Sequence, residues 1–223
     1  MQVCELITLL REDLLDDAVK EYLWPDSALL RIINEAQRQA CSRGDYLFDT
    51  FPFSIAATTA RYPLDPRITR ITRILVDGVE IHRRTRHERD EQTQGWRQLT
   101  TGDCVAVISG RTIQFDPIPQ ANASVVIEGY RMPNKLETCG DELEIIPEYQ
   151  ADLVHWCVYR CYSKVDADTY DPVKAREHLA QFDAIFGKLV PANVRQHQLE
   201  AEHAAYFRPI SYTSRRTSFR EEW

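Results

Sequence analysis

The stretch LVHWCVYRCYSKVDADTYDP, from Leu153 to Pro172, gathers the side chains that most readily bind metals. It holds His155, Cys157, Cys161, Asp166, Asp168 and Asp171 within twenty residues. Cys157 and Cys161 lie four apart and share a helix face, whereas His155 stands about 200° around the helix from Cys157. One helix therefore cannot bring the three to one ion. Val154, Cys157, Val158, Cys161 and Val165 form an apolar stripe instead, and a buried cysteine packs as a small hydrophobe. The aspartates open like a calcium loop, with Asp166, Asp168, Tyr170 and Glu177 at ligand positions. The glycine such a loop needs at its sixth position is Asp171, and Pro172 follows it. The stretch reads as a core helix, a polar turn and an N-cap.

Other catalytic patterns are thin. HERDE at His87–Glu91 ends in glutamate and is not a zinc-protease motif. The eight glycines make neither a phosphate loop nor a dinucleotide fingerprint. Ser109 lies in ISG rather than in a nucleophile elbow. Asp141 and Glu142 read as turn carboxylates, and His178 as an edge residue of the last helix. No catalytic residue, metal site or cofactor is expected, and the chain is not expected to be an enzyme.

The elements that carry these residues follow from periodicity. The chain has 223 residues, 43% hydrophobic and 27% charged, enough to bury a core. Val3, Leu6, Leu10 and Leu14 predict one helix face, and Leu29, Ile33, Ala36 and Ala40 a second, after the start signal WPDS. Arg31, Gln37, Arg38 and Arg43 are expected on the other faces, and Gly44 at the end. From Asp49 to Lys135 the period shortens: FPFSIAA, RITRILV, CVAVIS, RTIQFDP and ASVVIEGYRMP read as strands. Asp77-Gly78 and Ser109-Gly110 are hairpin turns. Polar HRRTRHERDEQTQGW, His82–Trp96, reads as an exposed loop or short surface helix. After Pro147 two helices return, the second capped by Asp171 with Pro172 at its first position and Ala175, Leu179, Phe182 and Phe186 as its stripe.

The predicted class is α+β. Two N-terminal and two C-terminal helices form an antiparallel bundle over 1–47 and 147–190. A small antiparallel β-domain, 48–146, is inserted, and an extended arm covers 191–223. In that arm, YFRPISYTSRRTSFR holds four arginines, four aromatics and no acid, the residue types that interfaces enrich.

Net charge is −7, which counts against a dedicated nucleic-acid binder. The N-terminus shows no basic stretch followed by an apolar run, and no segment reaches ~18 consecutive apolar residues, so neither a secretory signal nor a membrane helix is expected. Six scattered cysteines in such a chain are expected as reduced thiols.

Taken in order, ELITLLREDLLDD, WPDSALLRIINEAQRQACSR, RYPLDPRITRITRILVDGVEI, IQFDPIPQANASVVIEGYRMP, IPEYQADLVHWCVYRCYSKVDADTYDP and AREHLAQFDAIFG resemble the head-to-tail adaptor (neck connector) proteins of tailed bacteriophages. The NEAQ helix and the helix-turn after Leu153 are the most specific parts, and the likeness covers most of Glu5 to Gly187. The resemblance implies a virion protein, made in the host cytoplasm, that forms a ring of twelve copies beneath the portal. Its helices would sit against the portal protein and its β-domain would face the next tail or nozzle protein. Phage DNA would pass through the lumen without sequence-specific binding, and no membrane is involved. Portal contact is then expected from the arm, at Tyr206, Phe207, Arg208, Tyr212, Arg215, Arg216, Phe219 and Trp223. Arg83, Arg84, Arg86 and His87 form a contact loop toward a neighbour or tail protein. Two other readings stay open: a cell-wall or metal-dependent hydrolase carried in a virion, and a DNA-binding module using the arginine-rich tail.

Overall fold

The computed structural model describes residues 1–15, 17, 22–165 and 169–195. Helix α1 spans Val3–Leu9, and Glu5 reaches back to accept the Gln2 N–H at 2.9 Å. It continues as a wider turn over Leu10–Leu14, where Leu15 N–H bonds Leu10 C=O. That extra residue per turn rotates the face. Val3, Leu6 and Leu10 are buried as expected, but the next buried leucine is Leu15 rather than Leu14. Arg11 turns inward with it. Its guanidinium pairs with the buried Asp17 and donates to Trp24 C=O at 2.7 Å and Asp26 at 2.8 Å, knitting the end of α1 to the start of the next helix.

Helix α2, Asp26–Arg43, buries Leu29, Ile33, Ala36 and Ala40 on one face, the face its spacing predicts. Gln37 corrects the expectation: it is fully buried rather than on an outer face.

Eight strands follow: β1 Phe48–Ile55, β2 Arg61–Pro63, β3 Ile68–Val76, β4 Val79–Glu80, β5 His82–Thr85, β6 Val105–Ser109, β7 Thr112–Asp116 and β8 Ala123–Arg131. They form one sheet ordered β1-β8-β3-β4 and another ordered β2-β7-β6-β5. The region is not purely antiparallel as expected, because β5 runs parallel to β6, with His82 opposite Val105. A parallel pair needs a crossover, and the segment after β5 supplies it.

Strand β3 shows why local periodicity misleads. Ile68, Ile71 and Ile74 are all buried although they recur every three residues. A regular strand alternates faces and would turn Ile71 outward. Register shifts between Ile68 and Arg70, and between Ile71 and Arg73, each absorb one residue and return isoleucine to the core. The bulged backbone comes so close to β8 that a Cβ on Gly129 would lie 2.3 Å from the Arg70 carbonyl oxygen.

After β8 the chain returns through Leu136, Leu143 and Ile145 to helix α4, Leu153–Tyr162, and helix α5, Pro172–Phe186. A short 3-10 turn at Pro147–Tyr149 precedes α4, and the helix ends at Tyr162, short of the Val165 that closes the expected stripe. Val154, Cys157, Val158 and Cys161 are buried, while Val165 lies past the helix end and is 71% exposed. Asp171 caps α5 through the N–H groups of Val173 and Lys174, as its place before Pro172 predicts. Contacts between the two helices run antiparallel, Tyr162 to Lys174 and Trp156 to Phe182.

Two clusters of buried side chains result. One joins α1, α2, α4 and α5 with the return segment; the other joins the two sheets through Phe51, Ile71, Ile74, Ile113, Phe115 and Ile127, among others.

The cysteines depart from expectation. Cys4 and Cys139, 135 residues apart, form a disulfide, while Cys41, Cys104, Cys157 and Cys161 are free thiols. The pairing follows from backbone: Val3 N–H bonds Asp141 C=O at 3.0 Å and Cys4 N–H bonds Cys139 C=O at 2.9 Å. No spacing signal in the sequence could pair residues so far apart.

Candidate functional site

Three places on this scaffold present chemistry: the segment after β5, the seam between the helices and the return segment, and the exit of the chain from α5.

The first begins as strand. Arg83 and Arg84 lie in β5, half-buried, and the Arg83 guanidinium bonds the Ile71 carbonyl. Helix α3, Arg86–Gln92, follows. Thr85 accepts from Glu88 N–H at 3.2 Å and Glu88 accepts from Thr85 N–H at 2.9 Å, a reciprocal cap legible as T-x-x-E. Arg86 and His87 point outward, with side chains 63% and 85% exposed, beside Asp90 and Glu91 one turn on. The inner face is anchored. Arg89 pairs with buried Asp116 of β7, and Trp96, only 2% exposed, donates its indole N–H to Asp90 at 2.8 Å. That indole bond and Arg97 hold the Asp90 carboxyl below its ordinary range. The expected contact loop is thus a strand followed by a clamped helix. It offers Arg86 and His87 as an exposed surface, turns Arg83 toward the Ile71 carbonyl of β3 and leaves Arg84 half-buried. Trp96 was the missed signal, a lone tryptophan closing a polar stretch.

The second place ties the two cores. Asn34 donates to Leu136 C=O at 2.9 Å and accepts from Leu136 N–H at 2.8 Å. Buried Gln37 accepts from Glu144 N–H at 3.1 Å. Arg131, at the end of β8, donates to Asp49 at 2.7 Å and Glu144 at 2.8 Å, and Glu144 also accepts from Asn134 N–H. Burial pushes the Glu144 carboxyl up, but its bonds from Arg131 and Asn134 outweigh this and hold it below its ordinary value. Asn34 and Gln37 are the amides of NEAQ: two residues, three apart, that read the backbone of the returning chain. Nothing in the helical period separates such amides from solvent-facing ones.

The third place is where the chain leaves. Arg43 pairs with Asp183 of α5 at 3.1 Å, and next to it Arg195 donates to Ser42 C=O at 2.6 Å. The last described residues are therefore pinned against the end of α2. The predicted arm contacts, Tyr206, Phe207, Arg208, Tyr212, Arg215, Arg216, Phe219 and Trp223, lie outside the described residues, as do Asp166 and Asp168.

The metal-type residues of α4 and α5 separate as geometry required. Cys157 and Cys161 face the core, where burial pushes both thiols up, Cys161 to about 12. His155 instead meets the half-buried His178 across the helix hairpin. Among the described residues no three His, Cys, Asp or Glu side chains converge as a metal site, and no helix is long and apolar enough to cross a membrane. The arrangement offers anchored polar surfaces and hydrogen-bonded seams, which suit assembly.

The chain matches the model of a family described as SU10 adaptor protein, over residues 1–209. No curated protein matches it.

Proposed function

The chain belongs to the SU10 adaptor protein family, a family of phage head-to-tail adaptors, and from that premise we propose that it forms a ring beneath the portal and joins the DNA-filled capsid to the tail. The observation that carries this reading is the extent of the match, which takes in the helices, both sheets and the first part of the tail. The coarse role is that of a structural virion protein, a phage neck adaptor. The finer reading is a ring of twelve, matching the portal, with 1–47 and 147–190 as the portal-facing bundle and 48–146 as the domain toward the next tail component. The separate buried clusters of helices and sheets support that division.

The arm, 191–223, is the proposed portal contact, through the arginines and aromatics from Tyr206 to Trp223. Its exit is pinned at Arg195, a fixed origin from which a segment can reach a partner. The outward Arg86 and His87 form the second proposed contact, toward a neighbouring copy or the tail. A net charge of −7 suits a DNA conduit, since negative walls let phosphates slide without adhering.

Co-sedimentation with the portal ring of the same genome tests the reading, comparing the full chain with one ending at Val190. Saturable binding by the full chain, weakened by truncation, is expected. Equal binding by both moves the contact to the helices, and binding by neither overturns the adaptor role.

A further inference from the structure

His155 on α4 and His178 on α5 face each other across the helix hairpin, with their Nδ1 atoms 3.1 Å apart and ring centroids 5.3 Å apart. The pair lies on the half-exposed flank of a contact whose inner side is aromatic, with Trp156 5.2 Å from Phe182 and Phe182 4.5 Å from Phe186. Two imidazoles at this distance share one proton: one Nδ1 donates and the other accepts. That bond exists when both rings are neutral, and it also exists when one is an imidazolium. It cannot exist when both are charged, because both nitrogens then carry protons and the rings repel.

We propose that the His155–His178 pair is a proton-operated clasp on the α4–α5 hairpin, closed while at least one ring is neutral and released when both are charged.

The surroundings favour release over rescue. Asp152, ahead of α4, supports a charge on His155, and Glu177 of α5 supports one on His178. Against them stand burial of both rings, the mutual effect of His155 on His178, and Lys174 of α5, whose ammonium is held by the Tyr162 hydroxyl at 3.1 Å. From α2, packed on the other side of α4, Glu35 is engaged by Arg160 at 3.1 Å. No carboxylate hydrogen-bonds either ring among the described residues. Both histidines are accordingly held below their ordinary value of 6.5, with burial the first cause for each. A histidine depressed in the fold binds more protons when unfolded. The clasp's contribution is therefore complete above pH 6.5 and is lost as pH falls through the lower folded value, where the second ring takes its proton. The device stands apart from the adaptor reading and holds whatever the chain binds.

The test uses the full chain with His155→Gln, His178→Gln and the double variant, since glutamine can hydrogen-bond but does not titrate. Hydrogen exchange at pH 5 and pH 7.5, corrected for intrinsic rates, should show the α4 and α5 amides of the native protein opening about tenfold more at the lower pH. The double variant should show no such pH-dependent excess. An equal excess in the double variant overturns the proposal. If the variants do not fold, a histidine NMR titration of the native chain decides. Two separated steps, the lower of them below 6.5, support the clasp, and both rings titrating together at or above 6.5 refute it.

Discussion

The helical region and the sheet region solve packing in opposite ways. The helices are held by size: Phe182, Trp156, Leu29 and Ile33 fill one cluster, and the buried positions of α2 follow the helical repeat. The sheets are held by absence. At Gly129 the missing side chain lets the bulged β3 backbone lie against β8, and the isoleucines of both bulges reach the core as a result. The first region should fail when atoms are removed and the second when an atom is added.

The largest effect is expected from Phe182→Ala. It empties the centre of the helical cluster and should cost about 3–5 kcal/mol in urea unfolding. Next is Cys4→Ser. It opens a loop spanning 135 residues and should cost about 2–4 kcal/mol. Reductant should lower the melting temperature of the native chain to match and leave the variant unmoved. Gly129→Ala adds one methyl against the Arg70 carbonyl and should cost about 1–3 kcal/mol through backbone displacement. Gly140→Ala is its control, since there the new Cβ meets only the Thr138 hydroxyl at 4.0 Å. A stability loss as large at Gly140 would break the comparison. Asn34→Ala removes both bonds to Leu136 and should cost about 1–2 kcal/mol. Smallest is Asp171→Ala, the cap of α5, at about 1 kcal/mol.

The same contrast explains what could be read beforehand. The buried face of α2, the cap at Asp171 and the Asp77-Gly78 turn, with φ of 48° and 81°, depend on neighbours within one turn of chain, and they stand where the spacing puts them. The wide turn after α1 moved one leucine out and another in, because a single inserted residue rotates everything after it. The half-turned arginines of β5 were unreadable for a related reason. A parallel pairing with β6 is a long-range event, and HRRT on its own is merely polar.

Of the candidate sites, Arg86 and His87 were readable as exposed, because His82–Trp96 is polar throughout. The amides of NEAQ belonged to the stretches most like phage neck connectors, yet only the fold shows that Asn34 and Gln37 hold the returning chain. His155 and His178 looked unrelated in sequence, because each is judged within its own helix until the hairpin closes.

By itself the sequence determined the α+β class, the faces of α2 and α5, the family likeness and the fact that one helix could not gather His155 and its cysteines around an ion. Apolar spacing and cap chemistry are local, so the order of residues contains them. Tertiary structure alone decided the Cys4–Cys139 bond, the bulges that turn three isoleucines to one side, the seam at Glu144 and the histidine pair. Each of these joins groups distant in the chain or depends on a register set by a partner strand, and linear spacing contains neither.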